Sequence, residues 1–119
     1  MKINIPGVDE ARIMDIYGGD MDIFLPVLRS YLSVIPESLV KMSQVSAETL
    51  PQYTVTVHGL KSTSDSIGAE KARKMALELE IAAKAGDFSL ISAKNGALIQ
   101  YVKELLVNIQ KWLDKLDTQ

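Results

Sequence analysis

The chain contains a single histidine, His58, within residues 57–68. If this segment is a helix, its apolar and small residues form one inward seam. The members of that seam are Val57, Leu60, Ser64 and Ile67. A neighbouring stripe is wholly polar and consists of His58, Lys61, Ser62 and Asp65. The pattern therefore places the histidine ring near solvent, at the edge of the buried seam, with a lysine one helical turn away.

An exposed imidazole beside a lysine suits nucleophilic attack on phosphorus. An imidazole has an ordinary pKa of about 6.5, so near neutral pH a ring nitrogen is largely free to react. Lys61 lies one turn along and is placed to neutralise phosphoryl oxygens. Gly59 and Ser62 are small, which leaves room for a second protein to approach the ring. The alternative is that His58 is a surface residue without a function.

The segment around the histidine resembles the histidine-containing phosphotransfer (HPt) domain. The signature of that family runs His-x-Leu-Lys-Gly-x-Ser or Ala, with Gly ten residues after the histidine and Leu-Glu further on. The matching residues here are His58, Leu60, Lys61, Ser64, Gly68, Leu79 and Glu80. The chain departs from the family pattern at Ser62, where glycine is usual, and at Ala72, where leucine is usual. The resemblance covers nearly the whole chain, including the turn at residues 18–20.

The resemblance implies a phosphocarrier in a multistep His-Asp phosphorelay, a form of two-component signal transduction. His58 is then the phosphoacceptor, which takes a phosphoryl group from one receiver-domain aspartate and passes it to another, and Lys61 neutralises the phosphate. The implied partners are response-regulator receiver domains and a hybrid sensor histidine kinase. Mg²⁺ is expected on the receiver, because this chain offers no clustered carboxylates beside the histidine. We expect no cofactor or metal of its own, no kinase activity of its own, and a monomer.

Helix geometry connects Glu80 to His58. A short link at Gly68 makes the helices on either side an antiparallel hairpin. His58 lies ten residues before this glycine and Glu80 twelve after it, which corresponds to about 15 and 18 Å of helix at 1.5 Å per residue. Glu80 is therefore expected to accept a hydrogen bond from one ring nitrogen and to leave the other exposed. The alternative is a solvated glutamate that does not reach the ring.

Composition excludes several other classes of protein. The chain has 119 residues, of which 47% are apolar and 24% charged, so it fits one domain with a hydrophobic core. The net charge is −2 and no basic tract occurs, which argues against nucleic acid as a partner. The absence of cysteine excludes disulfides and fits the cytoplasm. We also find no apolar run near 18 residues and no signal-peptide pattern, so no membrane is expected. No Gly-rich phosphate loop is present, which argues against ATP binding.

The spacing of apolar residues predicts an all-α fold. We expect an up-and-down antiparallel four-helix bundle with a short extra N-terminal helix, forming a single domain over residues 1–119. The predicted helices span about 9–17, 21–46, 51–67, 69–85 and 88–116. Pro36 falls within the second pattern, so a kink is expected there, and two separate helices are the alternative. Val55 and Val57 alternate with threonines, as in a strand, but the seam through Ile67 favours helix.

Residues for partner docking are predicted around the histidine. Gly59, Ser62 and Asp65 share its helix, Lys84 lies one turn beyond Glu80, and Ile13 and Tyr17 on the first helix offer an apolar patch. Gly68 is predicted to cap the histidine helix. The plainer alternatives are core packing for Ile13 and Tyr17 and a solvated surface position for Lys84.

Other functions remain open at this point. The chain is alternatively a helical protein-interaction module with a non-phosphorylated histidine. It is alternatively a fragment of a hybrid sensor histidine kinase whose catalytic core lies elsewhere. An autonomous histidine kinase is disfavoured because no nucleotide site is visible in the sequence.

Overall fold

The computed structural model describes residues 2–118, and over that range it contains five helices and no strand. The helices are α1 (Glu10–Tyr17), α2 (Met21–Met42), α3 (Leu50–Ser66), α4 (Glu70–Lys84) and α5 (Phe88–Asp117). The predicted all-α class is confirmed. The alternation of valine and threonine around Val55 does not produce a strand. The segment is helical because the apolar seam of α3 is buried against α2 and α4.

The end of α2 is the one boundary that was predicted wrongly. The helix was expected to run to residue 46 and instead ends at Met42. Hydroxyl groups after this point bind the backbone and stabilise a turn. The amide of Ser46 donates to Thr49 Oγ1 (2.9 Å), and this hydroxyl donates to the carbonyl of Gln44 (3.0 Å). Such side-chain bonds compete with helical ones and stop the helix.

The start of each of three helices is fixed by an aspartate. Asp9 accepts a hydrogen bond from the amide of Ala11, Asp20 from that of Asp22, and Asp87 from that of Leu90. A carboxylate at this position satisfies an amide that has no partner inside the helix and interacts favourably with the helix dipole. Helix α3 instead begins with Pro51 in its first turn, where no amide donor is needed.

Helix α2 is continuous through Pro36, so the alternative of two separate helices is wrong. Both of its prolines lie on the exposed side. By length and composition α2 is also long and apolar enough to cross a membrane, with a mean hydropathy of 1.4 over 18 residues. The expectation that no such run exists is therefore wrong. The core helix of a soluble protein passes the same test, and α2 buries six residues at helical spacing.

Most of the core lies between α2, α3, α4 and α5, and Ile3, Ile5 and Ile13 add to it. Helix α3 packs on α2 and α4, and α5 packs on α2 and α4, while α1 contacts α2. Four alanines of α4 are buried, and their small side chains allow the helices beside α4 to approach closely. Two buried tyrosine hydroxyls join helices: Tyr31 bonds Ser64 Oγ (2.9 Å), and Tyr53 donates to Asn95 (2.7 Å). Burial raises the pKa of each tyrosine to about 12, so both hydroxyls stay protonated.

The short connection between α3 and α4 fixes their relative register. Gly68 has φ +72°, and its amide donates to the carbonyl of Asp65 (3.0 Å). The amide of Ala69 donates to the carbonyl of Ser64 (2.8 Å), which completes a Schellman motif. Gly68 therefore lies directly after the C-cap residue Ile67 and ends α3. Because only three residues separate the two helices, positions equally far from the turn lie side by side.

Candidate functional site

His58 and Glu80 are in contact between α3 and α4. The Nδ1 atom of His58 bonds Glu80 Oε2, in line with the contact that helix geometry predicts. The histidine side chain is 57% exposed, whereas that of Glu80 is only 3% exposed. The ring is therefore held at the surface by a carboxylate that lies beneath it.

Glu80 also binds Lys61. The ammonium of Lys61 donates to Glu80 Oε1 at 2.6 Å, so the two carboxylate oxygens serve different partners. This hydrogen bond is the largest influence on the carboxyl and holds the pKa of Glu80 below its usual range. Burial acts in the opposite direction, and the bond from His58 lowers the pKa further. Glu80 is therefore ionised at neutral pH.

An ionised carboxylate can only accept hydrogen bonds, which settles the tautomer of His58. The proton of the neutral ring must stand on Nδ1, where Glu80 accepts it. The second nitrogen, Nε2, then carries an available lone pair on a ring that is more than half exposed. A nucleophile of this kind can attack an electrophilic phosphorus or carbonyl centre brought by another molecule.

The structure shows Lys61 in a role that the sequence did not predict. Its stripe position suggested a free ammonium beside the ring, but the ammonium is bound to Glu80 and the side chain is only 24% exposed. Lys84 also approaches this carboxylate, at 3.6 Å from Oε2. The only sequence signal for this pairing is that Lys61 lies on the same stripe as His58, which does not by itself select the carboxylate that the ammonium binds.

The helix that carries His58 has a sequence poorly suited to a helix. Val55, Thr54 and Thr56 are β-branched, and Gly59 stands in mid-helix. Several hydroxyls bond carbonyls one turn back, as Thr54 does to Leu50 (2.8 Å) and Thr63 to Gly59 (2.9 Å). Packing of the buried seam on α2 and α4 therefore maintains this helix.

Residues 59 and 62 give the ring open surroundings. A Cβ added at Gly59 would meet no atom within 4 Å, so no packing contact demands glycine there. Ser62 is exposed one turn after the histidine. A partner surface can therefore reach His58 across these two positions without meeting a large side chain.

A groove of about 940 Å³ begins beside Ser62 and is bounded by α1, α3 and α4. Its lining is highly charged and consists of Asp9, Arg12, Lys61, Ser62, Asp65, Glu70, Arg73 and Leu77. Asp65, a predicted docking residue, lies in this groove, and its carboxylate is bound by Arg12 at 3.3 Å. Arg12 was missed because the contact joins residues 53 positions apart and depends on where α1 lies.

The predicted docking role of Ile13 is wrong. Ile13 is wholly buried, with its side chain against Gly68, and so cannot meet a partner. Tyr17 is half-buried, and its hydroxyl donates to the carbonyl of Ser66 at 2.7 Å. Both residues attach α1 to the turn between α3 and α4. Lys84 is 65% exposed and lies close to the ring, since it approaches the oxygen that His58 binds.

Residues 2–118 contain no group of three or more histidine, cysteine, aspartate or glutamate side chains arranged to hold a metal ion. Three comparisons, with protein-family models, with curated proteins and with solved structures, each found no match.

Proposed function

We propose that this chain is a histidine phosphocarrier of the HPt type in a multistep His-Asp phosphorelay. One observation carries the proposal: the bond from His58 Nδ1 to the buried Glu80 leaves Nε2 free on an exposed ring. The arrangement combines a fixed tautomer, a fixed ring orientation and an accessible lone pair, which are the requirements of a nucleophile that serves a second protein.

The reaction that suits this site begins with an aspartyl phosphate on a receiver domain. The Nε2 lone pair forms a bond to phosphorus while the P–O bond to the aspartate breaks, and the aspartate leaves as a carboxylate with the bonding electrons. No proton needs to move, because the proton stays on Nδ1 and its hydrogen bond to Glu80 is kept. The positive charge that develops on the ring is stabilised by the negative charge of Glu80.

Transfer to a second receiver reverses these steps. An aspartate of that receiver attacks phosphorus, and the N–P bond breaks to restore the neutral ring. In-line transfer of this kind depends on close positioning, for which the small residues at positions 59 and 62 leave space. Mg²⁺ and its carboxylate ligands are supplied by the receiver in this proposal.

The proposal includes a finer description of the fold. Helices α2 to α5 form an up-and-down antiparallel four-helix bundle, and α1 lies across one end. The helix contacts support this arrangement, because each of the four helices touches two others in the cyclic order α2, α3, α4, α5. We further propose that the domain acts as a cytoplasmic monomer, with a hybrid sensor histidine kinase upstream and response-regulator receivers as partners.

Phosphate transfer from a phosphorylated receiver domain tests the function. We expect acid-labile phosphate on the wild-type protein and none on the His58→Gln variant, which contains no other histidine. Absence of label on the wild type, or equal label on both proteins, would refute the carrier role and favour a helical interaction module. Labelling of the chain by ATP alone would instead indicate a kinase.

A further inference from the structure

Two lysines contact Glu80, and their contacts differ. Lys61 lies 2.6 Å from Oε1 with a side chain that is 24% exposed. Lys84 lies 3.6 Å from Oε2 with a side chain that is 65% exposed. A short bond to a buried carboxylate holds an ammonium in place, whereas a longer contact at an exposed position is weak and easily exchanged. Lys61 is therefore the fixed cation and Lys84 the movable one.

Lys84 and the histidine ring share one carboxylate oxygen. Glu80 Oε2 accepts the bond from His58 Nδ1 and also faces the Lys84 ammonium. The ammonium and the ring are consequently neighbours, although they lie on different helices. Lys61 is directed to the other oxygen, Oε1. If the Lys61 ammonium moved to a phosphoryl group on the ring, Glu80 would lose the shorter of its two contacts with lysine.

We propose that Lys84, and not Lys61, is the cation that binds the phosphoryl group on His58. This inference rests on the proposed phosphocarrier function and names a further residue of the same site. The sequence resemblance assigns the role to Lys61, but the geometry gives Lys61 a different one. Lys61 is a positioning residue, which keeps Glu80 ionised and directed towards the ring.

Charge redistribution during transfer provides the driving force. Before transfer, Lys84 and the neutral ring both interact with Oε2. As the Nε2–P bond forms and the bond from phosphorus to the donor breaks, the ring becomes positive and its bond to Oε2 strengthens. At the same time a doubly negative phosphoryl group appears at Nε2. The phosphoryl oxygens then attract the Lys84 ammonium more strongly than Glu80 does, because the positive ring already neutralises the charge of that carboxylate.

Phosphorylation by phosphoramidate tests this role without any partner protein. In that reaction Nε2 displaces ammonia as the P–N bond of the donor breaks, and ³¹P NMR follows the phosphohistidine. The variants are Lys84→Gln, Lys84→Arg, Lys61→Gln and a matched control, Lys74→Gln. Lys74 also lies on α4, is 69% exposed and approaches a glutamate four residues earlier, at 4.0 Å, but that glutamate is Glu70.

We expect Lys84→Gln to lower the rate of phosphorylation by about tenfold. This is the effect on the rate of losing one charge-assisted hydrogen bond at an exposed site. Lys84→Arg should restore most of the rate, Lys74→Gln should match the wild type, and neither Lys84 variant should change Tm. Added salt should slow the wild type more than Lys84→Gln, because salt screens the attraction between the Lys84 ammonium and the phosphoryl group, which the variant lacks. Lys61→Gln is expected to lower Tm.

Three results would overturn the inference. Equal rates for Lys84→Gln and Lys74→Gln would remove the role of Lys84 while leaving the phosphocarrier function intact. A fall in Tm for Lys84→Gln as large as that for Lys61→Gln would make Lys84 a structural residue. Failure of the wild type to form any phosphohistidine would refute the proposed function itself, and this inference with it.

Discussion

Gly68 offers the sharpest test of how α1 is attached beside the site. Its φ of +72° is a left-handed conformation, and an added Cβ would lie 2.9 Å from Ile13 Cδ1 and 3.0 Å from the carbonyl oxygen of Asp9. The amide of Asp9 also donates to the Gly68 carbonyl at 2.8 Å. A side chain at this position therefore meets backbone that is itself fixed, and α1 must move to accommodate it.

Gly86 provides a matched control. It has φ +68° and takes the same place in the Schellman motif at the end of α4, but a Cβ there would meet nothing within 4 Å. Alanine at either position carries the left-handed backbone cost of about 1 kcal/mol. Only alanine at Gly68 adds a packing conflict, which typically costs about 1–3 kcal/mol. We expect Gly86→Ala to lose about 1 kcal/mol and Gly68→Ala about 2–4 kcal/mol.

Thermal or denaturant unfolding of the three proteins measures this difference. For a chain of this length, about 1 kcal/mol corresponds to roughly 4 °C in Tm. A double-mutant cycle with Ile13→Val, which removes the Cδ1 atom, should show that the valine costs less in the Gly68→Ala background than in the wild type. Equal losses for the two glycine variants, or no coupling to position 13, would refute the close packing of α1 against the turn.

Two further predictions concern the site. Because the folded-state pKa of Glu80 lies below its ordinary value of 4.5, the carboxylate stabilises the fold above about pH 4.5, and this contribution is lost as pH falls through the folded pKa. Glu80→Gln should be less stable than the wild type by about 1–3 kcal/mol at pH 7, with a difference that shrinks below pH 4.5 in denaturant titrations; a difference independent of pH would contradict this. Ser62→Leu should change stability by less than about 0.5 kcal/mol yet strongly slow receiver-to-protein phosphate transfer, while Ser62→Gly is tolerated. Equal transfer rates for the leucine variant and the wild type would remove the docking role of this face.

The sequence predicted the helices because their signals are local. Apolar residues recur at helical spacing, aspartates precede three helices, and glycines follow α3 and α4. The prediction was wrong at the end of α2, where hydroxyl-to-backbone bonds form a turn that apolar spacing does not reveal. It was also wrong about Ile13, since burial depends on where α1 packs and not on the pattern of α1 itself.

The sequence by itself determined that His58 and Glu80 lie near the same level of one helical hairpin. With a three-residue connection at Gly68 and a constant rise per residue, two positions at similar distances from the turn lie side by side, and the structure shows that these two side chains are in contact. Only the tertiary structure decided how the charges are shared. Lys61 and Lys84 are both cations beside the histidine, yet they approach different oxygens of Glu80, and Arg12, in the neighbouring groove, binds Asp65. Long flexible side chains reach several partners from one backbone position, so burial and the competing charges of other helices select the partner.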